Sequence, residues 1–209
     1  MLKKLLGLTT ILLLLGPTVP ILGFDSDDVD RLIKTKQCSR CDLLDADLTE
    51  LQMNGADLSY AMLSFAKLSW SQLKEANLDK AVLEGADLRW AQLNSASLEK
   101  VFLKKADLQM ANLEAADLNG AYLEIANLSW CNLREAHLKA ANLEGANLSH
   151  ANLQHANLER ANLKNANLMN ANLKGANIDR IFLTGAKLDS AVWIDGDRCQ
   201  KGSIGKCVK

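Results

Sequence analysis

An apolar residue occupies every fifth position of this sequence from Leu43 to Trp193, without a break in register. Nearly all of these residues are Leu. An Ala usually lies two residues earlier, and Asp or Asn stands between the two, as in Ala161-Asn162-Leu163. An α-helix needs apolar residues at spacings of three and four, and a strand needs alternation, so neither has this period. The pattern therefore requires a repeat architecture.

A square coil accommodates a period of five. Each pentapeptide would form one side, and four sides would complete a turn of about twenty residues. Leu and Ala would point inward, with Ala kept small by the narrow shaft, while the other three positions face solvent. Successive turns would pair like parallel strands about 4.8 Å apart, which predicts a rod on the order of 35 Å long. The Asp and Asn residues have a structural explanation, because such side chains hydrogen-bond nearby backbone.

The Ala-(Asp/Asn)-Leu-x-x series resembles the pentapeptide-repeat family. The resemblance implies an all-β fold, a right-handed quadrilateral parallel β-helix. The segment from Asp27 to Lys36, followed by Cys38 to Leu43, resembles the entry segment of exported or lumenal members from photosynthetic organisms. The residues from Trp193 to Gly196, with Cys199 and Gly202 to Cys207, resemble their exit segment. A thylakoid-lumen or periplasmic location follows from this resemblance, without any particular activity.

The first 23 residues have the pattern of a signal peptide. Lys3 and Lys4 precede the apolar run from Leu5 to Leu15, and Gly23 offers a small residue at the cleavage point. The run is shorter than the roughly 20 residues that span a bilayer. We therefore expect an exported chain with no membrane span after cleavage; the alternative is a retained signal anchor. The expected division is a signal peptide at 1–23, a helical cap at 24–40, the β-helix at 41–193 and a disulfide-closed capping loop at 194–209.

The open ends of a solenoid need caps, because they expose unpaired backbone and apolar side chains. A short helix is expected before the first coil, with Asp25 or Ser26 as its N-cap. Its apolar side should cover the mouth of the shaft and comprises Val29, Leu32 and Ile33. The glycine-rich tail beyond Trp193 should close the other end.

Five cysteines are present: Cys38, Cys41, Cys131, Cys199 and Cys207. A shared zinc site is excluded, because the two cysteine pairs would lie at opposite ends of the rod and zinc ligands must lie about 2.3 Å from one metal. Disulfides between the ends are excluded on the same ground. Cys38–Cys41 and Cys199–Cys207 remain as pairs, with reduced thiols or a redox pair as alternatives for the first. Cys131 occupies an inward Ala position, which predicts an inert thiol in the core.

Composition and motifs argue against catalysis. The net charge is −1, so the basic stripe of a general nucleic-acid binder is missing. His137, His150 and His155 fall on outward positions of a convex rod, where groups do not converge as a cleft requires. No phosphate-binding loop or nucleophile motif is found. The Glu and Lys residues at outward positions are typical of a solvated face of mixed charge. We expect no enzyme activity, no metal and no cofactor.

Two outward columns stand out when the sequence is written in rows of twenty. One comprises Trp70, Trp90, Met110 and Trp130, and the other comprises Met62, Val82, Phe102 and Tyr122. Exposed contiguous aromatics mark partner-binding sites in many proteins. The alternatives are ladders that stabilise the fold, or columns covered by the N-terminal helix or by a second copy.

These observations favour a non-catalytic interaction module that binds an unknown protein partner on its outer surface, as a monomer or weak homo-oligomer. One alternative is a DNA mimic that interacts with topoisomerase, a role of some family members that needs an acidic surface and a cytoplasmic location. The other is a carbohydrate or small-ligand binder that stacks on the tryptophans, although the sequence shows no concave pocket.

Overall fold

The computed structural model describes residues 23–209. The predicted signal peptide lies outside the described residues, apart from Gly23. One helix, α1, runs from Ser26 to Thr35 and precedes the coil. Within residues 23–209, no helix has the length and apolar character that crossing a membrane requires.

The rest of the chain is a coil whose successive turns are joined by parallel β-bridges. Each bridge links residues twenty positions apart, from Gln37 with Asp57 to Asn172 with Val192. Every side of the turn contributes one bridged residue, the one before the inward Leu, and not a longer strand. We name the sides by their residues: side A holds 61–65, side B 66–70, side C 71–75 and side D 76–80, together with their equivalents at multiples of twenty.

Backbone hydrogen bonds explain why the turn has four corners. Between turns, the Leu63 amide donates to the Val82 carbonyl at 2.7 Å, and the Val82 amide donates to the Ala61 carbonyl at 2.9 Å. At the corner, the Ala66 amide donates to the Leu63 carbonyl at 3.1 Å. The residue before it, Phe65, has φ 59°, so the corner has the left-handed third residue that a type II turn requires.

Short polar side chains hold the corners, as the repeat predicts. The Asp57 carboxylate accepts from the Ser59 amide at 3.0 Å, and the same contact two residues along recurs around the coil. Local hydrogen bonds of this kind compete with helix and favour turns. The Asp and Asn positions of the repeat are therefore explained by the fold.

The core is the shaft, filled with a column of buried Leu and Ala side chains. Six inward Ala positions hold other residues, and two of these, Ser71 and Cys131, carry a free hydroxyl or thiol. The Ser71 hydroxyl donates to the Leu68 carbonyl at 2.7 Å, and the Cys131 thiol donates to the Leu108 carbonyl at 2.8 Å. Both of these buried polar groups thus have a partner, which removes most of the cost of burying them.

Helix α1 covers the N-terminal mouth with a narrow stripe. Asp25 is the N-cap and accepts from the Asp27 amide at 2.9 Å. Leu32 is buried and Val29 is half-buried, whereas Ile33 is 57% exposed. The prediction that Ile33 covers the mouth is wrong, because it lies a third of a turn from Leu32, and a short helix buries only one stripe.

The helix is fixed to the first coil by polar contacts and lies near a disulfide. The Asp28 carboxylate accepts from the Asp42 amide at 2.7 Å and pairs with Arg31 at 2.8 Å. Cys38 and Cys41 form a disulfide and are both fully buried. The disulfide thereby joins two successive inward positions of the first coil, directly under α1.

The tail covers only half of the C-terminal end. It returns antiparallel along side B, where Ile204 bridges Lys187, and along side C, where Arg198 bridges Val192. A disulfide joins Cys199 to Cys207 within the tail. On the last D and A sides, residues 176–185, the end of the shaft is uncovered, and the apolar side chains there are partly or fully exposed: Ile178, Ile181, Phe182 and Leu183.

Candidate interaction surfaces

The tryptophan corner comprises Trp70, Trp90, Met110 and Trp130, the last residues of side B in successive coils. All four have φ between 60° and 62°, the left-handed conformation that the corner imposes. The three tryptophans are 40–52% exposed. The column that was predicted to face outward therefore lies on the surface, clear of α1.

The rings at this corner stack on their neighbours along the rod. Trp70 and Trp90 are nearly parallel with centroids 4.8 Å apart, and Trp130 stacks on His150 at 4.0 Å. The spacing of coils places one ring directly over the next. Each of these rings therefore has one face covered by its stacked neighbour.

Amides beside the tryptophan corner are satisfied within the chain. Gln72 and Gln92 donate to the carbonyls of Trp70 and Trp90, and Asn112 donates to the Gln92 side chain at 3.3 Å. Arg89 contacts the Asp87 carboxylate at 2.6–2.8 Å, and these hydrogen bonds lower the pKa of Asp87. The polar groups around this corner already have partners.

The apolar column of side A comprises Met62, Val82, Phe102 and Tyr122, bridged in succession. Phe102 and Tyr122 stack in parallel at 4.7 Å. Three of the four are 41–51% exposed, and Val82 is half-buried. The column is a continuous apolar strip along the N-terminal half of the rod.

Two corner residues widen this strip. Phe65 and Ile125 close side A in their coils and are each 61% exposed. The Phe65 ring lies over Gly85, where a Cβ atom would stand only 2.8 Å from a ring carbon. Glycine at position 85 therefore lets the ring pack against the backbone of the next coil.

A groove of about 230 Å³ runs beside the apolar column. It is lined by Val82, Phe102 and Tyr122 and by three charged residues, Glu84, Lys104 and Glu124. Sequence reasoning missed this site, since it treated such charges as a solvated face. The signal was present: the three charged residues share one column, two positions after the apolar one.

The carboxylates of the groove are not neutralised within the described chain. One Glu124 oxygen accepts from the Asn142 amide at 2.7 Å, while the other is buried and has no hydrogen-bond partner among residues 23–209. Neither Glu84 nor Lys104 forms an ion pair with a described residue. The groove thus carries one more acid than base.

The opposite edge of side A is basic, and its cations have partners. Lys80 donates to the Tyr60 hydroxyl at 2.9 Å, which raises the pKa of Lys80, and Arg40 lies 5.4 Å from the Tyr60 ring centroid. Lys100 pairs with Glu99 at 2.7 Å.

Among residues 23–209, no three His, Cys, Asp or Glu side chains are placed to hold a metal ion. His137, His150 and His155 lie on separate columns of the surface. Cys131 is buried, and burial raises the pKa of its thiol, so it has no nucleophile character.

The family model for pentapeptide repeats matches residues 37–71, 71–109, 126–165 and 166–192, with eight copies. Together these stretches cover more than half of the chain. The chain belongs to the pentapeptide-repeat family. Proteins of this family fold as right-handed quadrilateral β-helices, and this chain has parallel bridges at a twenty-residue spacing.

Several solved structures are similar to this pentapeptide-repeat protein. HetL, involved in heterocyst differentiation regulation in the cyanobacterium Nostoc sp. strain PCC 7120, is 32% identical over 74% of this chain and 90% of HetL, with a TM-score of 0.26. Rfr23 of the cyanobacterium Cyanothece 51142 is 27% identical over 80% of this chain and 98% of its own, with a TM-score of 0.26. A protein of the Arabidopsis thaliana thylakoid lumen is 26% identical over 51% and 64%, with a TM-score of 0.30. No match was found among proteins of curated function.

Proposed function

We propose that this protein is a non-catalytic interaction module that acts in an exported compartment and binds a protein partner on its outer surface. The observation that carries the proposal is the run of exposed apolar side chains on side A from Met62 to Ile125 and at the tryptophan corner. Phe182, the other exposed apolar residue of the side-A column, is separated from this run by Asn142 and Asn162. Contiguous exposed apolar residues on a monomer are rare and mark interaction sites. Solenoids bind partners along such extended surfaces.

Two observations support export to the periplasm or thylakoid lumen. The sequence begins with the pattern of a cleaved leader at 1–23. Both terminal cysteine pairs are joined as disulfides, which persist in oxidising compartments. The proposal takes residues 24–40 as the helical cap, 41–193 as a right-handed β-helix and 194–209 as the closing loop.

The two alternative functions lack a supporting observation. A DNA mimic needs an acidic surface, whereas charges of both signs pair along this rod, as in Arg134 with Glu135 and Lys139 with Glu159. A carbohydrate platform needs open ring faces, and Trp70, Trp90 and Trp130 each have one face covered by a stacked ring.

Affinity capture from the exported fraction of the source cells tests the proposal. The baits are the mature chain, a corner variant (Trp70→Asp, Trp90→Asp, Trp130→Asp) and a side-A variant (Met62→Asp, Phe102→Asp, Tyr122→Asp). A matched control, Asn142→Asp with Asn162→Asp, alters the same column in the polar half. Circular dichroism first establishes that each variant is folded.

We expect a protein that the mature chain and the control retain and that at least one apolar-surface variant loses. Equal retention by all four baits, or retention by none, would leave the apolar columns as fold scaffolding and overturn the proposal.

A further inference from the structure

We propose that the groove of side A is the docking site, and that it takes a partner segment in which a Lys or Arg lies next to apolar side chains. The inference rests on the proposed function and names the surface and the chemistry of its partner. It assigns the tryptophan corner a structural role, as a stacked ladder.

The apolar half of the site is the strip beside the groove. Phe102 and Tyr122 line the groove and remain 41–42% exposed, and Ile125 at the adjoining corner is 61% exposed. An apolar side chain laid along this strip would bury area that is in water in the free protein, at about 25 cal/mol per Å².

The charged half of the site calls for a cation. Glu84 and Glu124 stand on either side of Lys104 in one column, so carboxylates outnumber cations by one among the residues that line the groove. One Glu124 oxygen is buried and has no partner among the described residues. A carboxylate that has one oxygen buried without a hydrogen bond is held at a desolvation cost, and a guanidinium or ammonium group docked in the groove offsets that cost by stabilising its charge.

The chain's own neighbouring cations do not pair with the carboxylates of the groove. Lys105 lies at the exposed corner of side A beside the groove and forms no ion pair with a described residue. On the opposite edge of side A, Lys80 is bonded to Tyr60 and Lys100 is paired with Glu99. The next acid in the groove's column, Glu144, differs from Glu124 in having a lysine, Lys164, at 3.7 Å. The unneutralised charge is therefore local to the apolar part of side A, where a complementary charge fixes the register of a partner.

A second copy of the chain is a poorer occupant than a basic segment. A two-fold dimer brings the same patch of both protomers together, so each groove would meet another groove with an excess carboxylate. Two excess acids would then be enclosed in one interface. A partner with its own Lys or Arg avoids that arrangement.

Selection from a phage-displayed library of random dodecapeptides tests the inference. The targets are the mature protein, Glu84→Gln/Glu124→Gln, Glu84→Lys/Glu124→Lys, the corner variant and the matched control Glu144→Gln. Enriched sequences are made as synthetic peptides, and their affinities are measured for every variant at two salt concentrations.

We expect the wild type to enrich peptides that carry Lys or Arg beside apolar residues. Their affinity should fall at least tenfold in Glu84→Gln/Glu124→Gln and with rising salt. It should stay within twofold in Glu144→Gln and in the corner variant. The Glu84→Lys/Glu124→Lys variant should instead select peptides with Asp or Glu.

Three results would overturn the inference: no enriched peptide, enrichment without Lys or Arg, or binding that only the corner variant loses. None of these three results tests the proposed function, because the affinity-capture experiment tests it independently. Partner loss in the corner bait alone would sustain the proposed function while overturning the assignment to side A.

Discussion

At the scale of single residues, the corner positions are the unusual feature of this molecule. Most are occupied by residues other than glycine with φ between 53° and 62°, a conformation that L-residues rarely adopt. The corner hydrogen bond and the bridges on either side hold them there. A side chain at a corner therefore carries a backbone conformational cost, and the hydrogen bonds of the regular coil offset that cost.

Alanine substitutions at Gly85 and Gly55 would separate two costs of a side chain at a corner, the strain of its backbone conformation and the clash with its neighbours. Both have φ near 66°, but a Cβ at Gly85 would stand 2.8 Å from the Phe65 ring, and one at Gly55 would meet nothing within 4 Å. Gly55→Ala should cost about 1 kcal/mol of unfolding free energy. Gly85→Ala should cost about 1 kcal/mol more, because the displaced ring loses its packing. Urea unfolding measures both, and in a Phe65→Ala background the two costs should become equal; a persistent difference would contradict this account.

Cys131 makes the stability of the protein depend on pH in a defined window. Burial raises the pKa of its thiol, so the folded chain keeps the proton that the unfolded chain loses above about pH 8.5. The stability due to the protonated thiol is complete below that pH and falls above it, by up to about 1.4 kcal/mol per pH unit. Between pH 8 and 10 the wild type should lose about 2 kcal/mol relative to Cys131→Ala. The free energies of unfolding are measured in urea. If those of the wild type and Cys131→Ala changed equally with pH, the result would contradict a buried thiol.

At the scale of elements, the N-terminal cap depends on one side chain. Leu32 of α1 is 1% exposed, whereas its neighbour Ile33 is 57% exposed. Leu32→Ala should destabilise the first coil by about 2–4 kcal/mol, since it opens a cavity over the shaft. Ile33→Ala should change stability by less than about 0.5 kcal/mol. Because repeats contact only their neighbours, amide exchange in residues 36–60 is the appropriate measurement; equal effects of the two substitutions would be inconsistent with this geometry.

The elements also show what the sequence could and could not predict. The five-residue period predicted the twenty-residue turn and the inward Leu and Ala, because only one position in the repeat is always apolar. The cap helix was predicted from its polar start, but the burial of Leu32 and not Ile33 depends on how α1 lies on the mouth. The groove was missed because Glu84, Lys104 and Glu124 are far apart in sequence and acquire meaning only when coils are stacked.

At the scale of the whole molecule, the two ends of the rod are closed differently. Helix α1 lies over the N-terminal mouth, whereas the tail covers sides B and C of the last coil and leaves sides D and A open. The amides of Ile178, Arg180, Leu183 and Gly185 have no acceptor among the described residues. Their equivalents on the covered sides, Leu188 and Ser190, donate to tail carbonyls at 2.8 and 3.1 Å.

This asymmetry predicts a pattern of amide exchange within one coil. The four amides on the open sides should exchange at rates close to those of an unfolded chain, while Leu188 and Ser190 should be protected. Closing an eight-residue loop by the Cys199–Cys207 disulfide is worth about 2–3 kcal/mol, so Cys199→Ser/Cys207→Ser should speed exchange at the two protected amides by roughly 30- to 160-fold. NMR-detected exchange resolves each site, with amides of central coils as the unchanged reference. If Leu188 and Ser190 stayed protected in the variant, the antiparallel bridges to Ile204 and Arg198 alone would hold the tail.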